Sequence, residues 1–477
     1  MKKTRTIDKK ITTCSIISLG CPKNLTDGEL MIGKMMAAGF RFCENPSAAD
    51  VVILNTCGFL NDARNEARDV LNELIAEKNR GKIQKIIVTG CAVQWEREKL
   101  VDAFPKVDLW LGVFDEFRIG EVVQQVCGTI PSENSPKNVF FSSEPETVFD
   151  HAERFRLTLP HVAYLKIADG CSRHCAYCLI PKIRGPFVSR PKELILEDAR
   201  RLAAEGVREV IVIAQETNFW GIERYGKPML AELLAELHEI DGFDWIRLMY
   251  MYPMHFTDAL IDLFAAGKKL LPYIDLPLQH CNDEILRGMN RRTNKAETEK
   301  LLETLRERIP NLVLRTSLIT GFPGETDTMF DELLAFVQKW RFERAGVFKY
   351  SREPGTIAAT LPGQIDDAVK NERYERLYAI TESQTRNWAL QQTDKQLHVI
   401  FDRHEQDEHG RPIPNVLIGR TFADAPTIDP VVYATVQKDK AQNNKMRNNK
   451  TRIVPGAIVS CDIVTTSGVN LIASVSQ

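Results

Sequence analysis

The sequence predicts an α/β protein with an N-terminal parallel α/β domain, a central open, partial (β/α)6 barrel and a small C-terminal antiparallel β-barrel. The first two parts are predicted because short β-branched runs alternate with amphipathic helical runs over residues 14–127 and again after residue 160. From about residue 395 five short alternating runs follow without a helical period, which is typical of a small β-barrel. The 477 residues also exceed what one hydrophobic core normally serves.

The composition of the chain suggests where the domain boundaries lie. A stretch rich in Pro, Ser, Asn and Glu has no clear period, which predicts a linker with a short hairpin around residues 139–141. The predicted parts are therefore the first domain at 1–128, the linker at 129–160, the partial barrel at 161–394 and the terminal barrel at 395–477.

Three of the four strands predicted in the first domain end on a cysteine, at Cys21, Cys57 and Cys91. The strands are predicted at residues 14–21, 50–57, 85–91 and 109–113. Ligands gather at the carboxyl ends of parallel strands, so we expect these three thiols to converge. A buried structural cysteine is the alternative for any one of them, but three equivalent strand ends favour a shared cluster site. Three thiolates hold three irons of a cubane and leave the fourth iron open to a small molecule.

A second set of three thiols, Cys171, Cys175 and Cys178, directly follows the run at 164–168 that predicts the first barrel strand. The spacing C-x3-C-x2-C, with the aromatic Tyr177 before the last cysteine, resembles the radical S-adenosylmethionine (SAM) superfamily. In that superfamily SAM binds the open iron and is cleaved to a carbon radical. The alternative is a structural zinc site completed by His174, although no second C-x2-C or H-x3-H follows.

The partial barrel is predicted from six strand runs, at residues 164–169, 209–216, 245–252, 273–278, 312–319 and 346–350. In barrels of this kind the carboxyl ends of the strands form the active face. Several polar or glycine positions there suit contacts to SAM, although the glycine-rich run at 321–324 also fits a simple turn. The predicted SAM contacts are Tyr177, Gln215, Glu216, Arg315, Thr316 and Gly321. His280 is predicted to be a satisfied polar group and Cys281 an additional buried cysteine.

Charge and composition restrict the class of protein. A net charge of −2 and a pI near 6.5 argue against a globally basic nucleic-acid-binding protein. Eleven cysteines, an odd number clustered at chemically suggestive places, indicate metal ligands in a reducing cytosol rather than a disulfide framework. The sequence lacks a transmembrane-length apolar run, and its first residues lack the apolar core of a signal peptide. We therefore predict a cytoplasmic protein without a membrane partner.

Along essentially its whole length the chain resembles the radical-SAM methylthiotransferases. The first-domain motifs are Leu-Gly-Cys-Pro-Lys-Asn at 19–24 with Asp27 and Glu29, Asn-Thr-Cys-Gly-Phe at 55–59 and Thr-Gly-Cys at 89–91. The terminal barrel resembles that family's TRAM domain. The runs at 19–24, 273–280 and 419–426 are similar to the branch that modifies a ribosomal protein, whereas the tRNA branch carries a run of the type Phe-Gly-Cys-Gln-Met-Asn at the first cysteine.

The resemblance implies two 4Fe-4S clusters. One, held by Cys171, Cys175 and Cys178, binds and reduces SAM, and the other, held by Cys21, Cys57 and Cys91, presents the sulfur that a second SAM methylates. The implied product is a methylthio group on the β-carbon of one aspartate in small-subunit ribosomal protein twelve. The implied partners are that ribosomal protein, recognised by the TRAM domain, and an external electron donor.

The sequence also allows two other functions. A tRNA methylthiotransferase would use nucleic acid as its partner, and the basic segment 438–452 is its only support. A non-catalytic iron–sulfur carrier normally closes its cluster with four protein ligands, which two sets of three cysteines do not provide. If the terminal barrel serves recognition only, a chain truncated near residue 394 is expected to keep both clusters and still cleave SAM.

Overall fold

The computed structural model describes residues 12–128, 138–144, 154–436 and 453–475. The chain divides into two compact units. Unit 1 comprises Met1–Leu157, Ala168–Arg190 and Glu353–Thr356. Unit 2 comprises Thr158–Ile167, Pro191–Arg352 and Ile357–Gln477.

Unit 1 contains a six-stranded sheet in which every pair of neighbouring strands is parallel. From edge to edge its strands are Arg41–Phe42, Thr13–Ser18, Val51–Thr56, Lys85–Gly90, Leu109–Leu111 and Val139–Phe140. The helices are Pro22–Ala37, Asn61–Asn79, Cys91–Glu96, Glu98–Ala103 and Ile119–Gly128, with short 3-10 helices at Pro46–Ala48 and Val113–Arg118. The predicted parallel α/β domain is thus confirmed.

Helices cover both faces of this sheet. The central strand Val51–Thr56 is buried along its whole length. Val51 and Ile53 pack into one buried hydrophobic cluster, whereas Val52 and Leu54 pack into another. Because side chains alternate between the faces of a strand, this division places one core on each side of the sheet.

The prediction of a hairpin around residues 139–141 is wrong. Val139–Phe140 is instead an edge strand that pairs in parallel with Leu109–Leu111. This strand is hydrogen-bonded to the first sheet, since the Gly112 amide donates to the carbonyl of Phe140 at 2.8 Å. Three apolar residues are too few to show a period, so the sequence alone did not distinguish a hairpin from a strand that pairs with a distant partner.

The loop that carries Cys171, Cys175 and Cys178 also belongs to unit 1. Its base is closed by an antiparallel pair, Ala168–Asp169 with Val188–Ser189, and it contains the short helix Ile180–Arg184. At Gly170 the backbone φ is +70°, and a Cβ would lie 1.9 Å from the carbonyl oxygen of Pro186. Only glycine fits this position, where the loop crosses its own return strand.

Unit 2 contains six parallel strands that pair in sequence order, as predicted for a partial barrel. They are Val162–Lys166, Glu209–Ile213, Trp245–Leu248, Leu270–Asp275, Val313–Thr320 and Arg344–Lys349. The first and last strands form opposite edges, so the barrel is open. Its helices are Lys192–Ala204, Ile222–Tyr225, Leu230–His238, Asp258–Ala266, Asp283–Gly288, Lys295–Arg308, Asp327–Trp340 and Asp367–Leu390, with 3-10 helices at Thr217–Phe219 and Ala358–Thr360.

The C-terminal residues form the predicted small barrel, which is closed. Around the barrel its strands are Gln396–Gln406, Pro412–Arg420, Val432–Val436, Asn470–Val475 and Ile458–Ser467. Four of the five pairings are antiparallel, whereas Val432–Val436 runs parallel to Asn470–Val475. The prediction of an antiparallel barrel therefore holds except at this pair.

Within unit 2 the small barrel is attached to the central strands by buried ion pairs. Arg420 contacts Glu209 at 2.6 Å, and Arg344 contacts Asp424 at 2.6 Å. Arg247 contacts Glu209 at 2.8 Å and donates to the carbonyl of Phe422 at 2.8 Å. Glu209 and Arg344 are the first residues of their strands, so the small barrel packs at the amino ends of these strands.

Over the described ranges, none of the helices combines the length and apolar character needed to cross a lipid bilayer.

Candidate functional site

The structure brings together the strand ends that carry Cys21, Cys57 and Cys91. A Cβ added to Gly20 would lie 2.7 Å from Cβ and 3.0 Å from Sγ of Cys57. A Cβ added to Gly58 would lie 2.5 Å from the carbonyl carbon of Cys91. The two glycines thus allow the loop of Cys21 to contact that of Cys57, and the loop of Cys57 to contact that of Cys91, at the carboxyl ends of the strands.

Gly58→Ala is expected to disrupt this cysteine arrangement. The new methyl group would overlap the Cys91 backbone, which cannot rotate away as a flexible side chain would. Iron bound by a chain that keeps only Cys21, Cys57 and Cys91 as cluster cysteines should therefore fall strongly. Gly128→Ala is the matched control, because nothing lies within 4 Å of a Cβ there. Equal iron contents in the two variants would show that the close approach is not needed.

Asn24, the last residue of the motif Leu-Gly-Cys-Pro-Lys-Asn, holds two strand ends in place. Its Nδ2 donates to the carbonyl of Leu19 at 3.0 Å and to that of Thr56 at 2.8 Å. In return, Nδ2 of Asn55 donates to the carbonyl of Asn24 at 2.7 Å. The buried Asn24 therefore joins the first and second cysteine loops through their backbones.

Glu29 of the same helix fastens the segment that follows the first sheet. Its buried carboxylate accepts hydrogen bonds from Nε of Arg154 at 2.7 Å and from the amide of Leu157 at 2.7 Å. The motif residue Glu29 is thus explained by packing of the chain at 154–157.

Cys91 is the most enclosed cysteine of its set. Burial raises the pKa of its thiol to about 12, and the neighbouring guanidinium of Arg184 opposes this effect. Nε of Arg184 donates to Sγ of Cys91 at 3.3 Å. Cys91 also packs in one apolar cluster with Leu179 and Ile183, from the segment directly after Cys178. The second loop therefore contributes directly to the surroundings of the first cysteine set.

The loop of Cys171, Cys175 and Cys178 directs backbone donors at its sulfurs. The amide of Arg173 donates to Sγ of Cys171 at 3.4 Å, and that of Ile180 donates to Sγ of Cys178 at 3.4 Å. Burial raises the pKa of the Cys178 thiol, and the nearby Cys175 and Cys171 add to this shift. Such donors stabilise thiolates, the form that binds iron.

Both cysteine sets fit a cluster by donor chemistry. The first set provides three thiols on neighbouring loops and the second provides three on a single loop. Amide or guanidinium donors reach at least one sulfur of each set. A cubane does not require its ligands to converge on one ion, because each thiolate binds a different iron. The described part of the chain contains no group of three Cys, His, Asp or Glu side chains placed to hold a single metal ion. His174, the ligand of the alternative zinc site, is exposed.

The predicted SAM contacts in unit 2 differ in their surroundings. Glu216 is buried, and Oε1 of Gln215 is buried without a hydrogen-bond partner. Oγ1 of Thr316 donates to the carbonyl of Leu276 at 2.9 Å, so this hydroxyl already has an acceptor. Gly321 has a φ of +72°, and its amide donates to the buried carboxylate of Glu325. Gln215 is the clearest candidate here, because an unsatisfied buried oxygen is costly unless a ligand meets it.

Arg315, the remaining predicted SAM contact in unit 2, is held by two carboxylates. Its guanidinium contacts Asp275 at 2.9 Å and Asp429 at 3.4 Å, and Asp429 belongs to the C-terminal part of the chain. The side chain therefore contributes to the attachment of the small barrel, and its contact with SAM stays a prediction. Its position on a barrel strand did not reveal which end of the strand the long side chain reaches.

Sequence reasoning missed two residues near these sites. Arg184 is one, because no local pattern pairs it with a cysteine 93 positions earlier. Thr320 is the other, since its hydroxyl is buried without a partner at the end of the strand Val313–Thr320. Its position at a strand terminus before Gly321 is a signal that could have suggested it. His280 is a satisfied polar group, as predicted, because Nε2 lies 3.2 Å from Oε1 of Glu325.

Three family models match the chain. They are the uncharacterized protein family UPF0004 over residues 13–112, the Radical SAM superfamily over residues 165–337 and the TRAM domain over residues 395–475. Two relatives named ribosomal protein uS12 methylthiotransferase RimO, from Lachnoclostridium phytofermentans and Geobacter sulfurreducens, are each 42% identical to it. The alignments cover 87% and 88% of this chain and 92% of each relative.

The chain belongs to the uS12 methylthiotransferase family. This confirms the resemblance to the ribosomal-protein branch of the radical-SAM methylthiotransferases. The protein is a radical-SAM enzyme, and its cofactors are SAM and two 4Fe-4S clusters.

Solved structures with similar folds belong to other radical-SAM enzymes. The methyltransferase TsrM from Kitasatospora setae, solved with cobalamin and a [4Fe-4S] cluster, has a TM-score of 0.55 at 14% identity. That match covers 73% of this methylthiotransferase and 77% of TsrM. OxsB, a cobalamin-dependent SAM radical enzyme, has a TM-score of 0.51 at 13% identity, over 78% of this chain and 56% of OxsB. At these identities the likeness concerns the fold alone.

Proposed function

We propose that this enzyme transfers a methylthio group to the β-carbon of an aspartate in ribosomal protein uS12. The observation that carries the proposal is that both sets of three cysteines lie in one compact unit of a chain 42% identical to uS12 methylthiotransferases. Two open-iron sites in one unit suit a reaction in which radical formation and sulfur transfer act on the same carbon.

The two cysteine sets have different proposed roles. Cys171, Cys175 and Cys178 would hold the cluster that binds SAM, and Cys21, Cys57 and Cys91 would hold the other. When bound, the clusters supply the electron that cleaves SAM and the sulfur that is transferred. The amides of Arg173 and Ile180 stabilise the first set as thiolates, whereas Arg184 does so for Cys91.

The proposed reaction replaces one C–H bond by a C–S bond. One electron from an external donor would cleave SAM to methionine and a deoxyadenosyl radical, which would take the hydrogen and leave as deoxyadenosine. The substrate carbon would then bond to the methylated sulfur as that sulfur leaves iron, and the electron released in this step would pass to the cluster that supplied the sulfur. The methyl group comes from a second SAM, which leaves as S-adenosylhomocysteine. The proposed SAM contacts are Tyr177, Gln215, Glu216, Arg315, Thr316 and Gly321. The buried carboxylate of Glu216 suits the ammonium group of SAM, and the free oxygen of Gln215 suits a hydroxyl or ammonium donor.

The proposed partners follow from the substrate. A ribosomal protein is met in the cytoplasm, where we place the enzyme and its reductant. Substrate recognition by the terminal barrel also remains a proposal. The basic segment 438–452, which supports the tRNA alternative, lies outside the described residues.

Mass spectrometry of ribosomal proteins and tRNA tests the proposed substrate. In cells without this protein, uS12 should lack one methylthio group while the tRNA remains unchanged, and the wild-type chain should restore the modification. A chain with alanine at Cys21, Cys57 and Cys91 is the control, because it should be produced without restoring uS12. Loss of a methylthio group from tRNA, with unmodified uS12 in both strains, would instead establish the tRNA alternative.

A further inference from the structure

Arg184 connects the two cysteine sets within unit 1. It is the last residue of the short helix Ile180–Arg184, which begins two residues after Cys178. Its side chain is 3% exposed, and Nε donates to Sγ of Cys91 at 3.3 Å. A residue of the SAM-cluster loop therefore supplies a charged hydrogen-bond donor to a ligand of the other cluster.

Three polar groups hold the guanidinium of Arg184 in this orientation. Nη2 donates to Oδ1 of Asn24 at 2.7 Å and lies 2.7 Å from a carboxylate oxygen of Asp27, a contact that is ionic rather than a directed hydrogen bond. Nη1 lies 3.3 Å from Asp169, whose side chain is 40% exposed. Asp27 is only 6% exposed, so it provides the main opposing charge in the buried surroundings of Cys91.

Charges at this distance affect the redox properties of a cluster. The potential of an iron–sulfur cluster depends on its net charge and on hydrogen bonds to its sulfurs. Reduction adds a negative charge, so a buried cation that donates to a ligand sulfur favours the reduced state. A buried carboxylate beside that cation disfavours it. Arg184 and Asp27 should thus shift the potential in opposite directions.

We propose that Arg184 is a positioning residue that raises the reduction potential of the cluster held by Cys21, Cys57 and Cys91, and that Asp27 limits this increase. The inference rests on the ligand assignment under the proposed function. It extends that assignment, because a residue of the helix after Cys178 then donates to a ligand sulfur of the other cluster.

A purely structural role for Arg184 is the alternative. A buried ion pair between Arg184 and Asp27 would also join the helix Ile180–Arg184 to the helix Pro22–Ala37. Removing either partner would then loosen the same contact and disturb the cluster in the same way. The two roles therefore differ in the sign of the effect of each partner on the potential.

The test uses the full chain with Cys171, Cys175 and Cys178 changed to alanine, reconstituted without oxygen. This chain should hold only the cluster whose potential is to be measured, by redox titration followed with electron paramagnetic resonance. Arg184→Gln should shift the midpoint to more negative potential and Asp27→Asn to more positive potential. The double variant should lie between them. Lys182→Gln is the matched control, because it removes a cation of the same helix that contacts the carbonyl of Gly355 and should cause no comparable shift.

Each outcome decides the inference. Shifts of the same sign in Arg184→Gln and Asp27→Asn, or an unchanged potential in either loaded variant, would overturn it. If Arg184→Gln fails to fold, the positive shift of Asp27→Asn and its reversal by the double variant still test the charge effect. Absence of a four-iron cluster from the parent chain itself would instead contradict the ligand assignment, independently of Arg184.

Discussion

Simultaneous replacement of Cys171, Cys175 and Cys178 by alanine is expected to abolish SAM cleavage and to lower the iron content from about eight to about four per chain. The reason is that SAM needs the open iron of this cluster, while the remaining cysteines keep the other cubane. Iron analysis and chromatographic detection of deoxyadenosine, with dithionite as the electron donor, measure both effects.

The triple alanine variant at Cys21, Cys57 and Cys91 is the matched control. It should also lose about four irons, yet it should still form deoxyadenosine, because reductive cleavage uses only the first cluster. Methylthio transfer to uS12 should be lost in both variants. Equal loss of SAM cleavage in the two variants, or zinc in place of iron, would contradict the assignment of the cysteine sets.

Glu209→Ala is expected to cause a large loss of stability in unit 2. The carboxylate of Glu209 is fully buried and contacts both Arg247 at 2.8 Å and Arg420 at 2.6 Å. Its removal leaves the buried guanidinium of Arg247 without this carboxylate, while Arg420 keeps Asp402 at 2.6 Å. Breaking a buried ion pair in this way typically costs roughly 3–5 kcal/mol. The midpoint of thermal unfolding should therefore fall strongly, as measured by circular dichroism or calorimetry.

Glu382→Ala provides the comparison for Glu209→Ala. Glu382 is 40% exposed and pairs with Arg386 one helical turn away at 3.1 Å. Exposed pairs of this kind contribute about 0.3–0.5 kcal/mol, so the same Glu to Ala change should hardly alter the unfolding midpoint there. Similar midpoints for the two variants would show that Glu209 does not stabilise the attachment of the small barrel.

The ion pairs of unit 2 bear on the expectation that a chain truncated near residue 394 keeps both clusters and still cleaves SAM. Truncation would remove Arg420 and Asp424, the partners of Glu209 and Arg344. The buried guanidinium of Arg344 would lose its Asp424 partner, and Glu209 would keep only Arg247 of its two arginine partners. The terminal barrel is therefore part of the stability of unit 2, whatever it contributes to substrate recognition. Substitutions on its exposed surface test recognition more cleanly than its removal.

Sequence patterns alone determined the positions of the six candidate cluster ligands. Cys21, Cys57 and Cys91 follow β-branched runs, and parallel strands align their carboxyl ends whatever the details of packing. The spacing of Cys171, Cys175 and Cys178 is local, so it needs no tertiary information either. The same holds for the order of the six barrel strands, since each βα unit places the next strand beside the last.

Tertiary structure decided which distant groups meet. The run at 139–141 forms a strand at the edge of the first sheet, where it pairs with a strand from a distant part of the sequence. Asn138, for example, donates to the carbonyl of Asp108, which lies 30 residues earlier. Arg315 contacts Asp429 and Arg184 contacts Cys91, and the residues adjacent in sequence predict neither contact. A long, charged side chain can meet any acceptor within several ångströms once the backbone is folded. The partner of such a side chain therefore depends on how elements that are far apart in the sequence pack together. The cysteines of a ligand loop, in contrast, are identified by their spacing in the sequence.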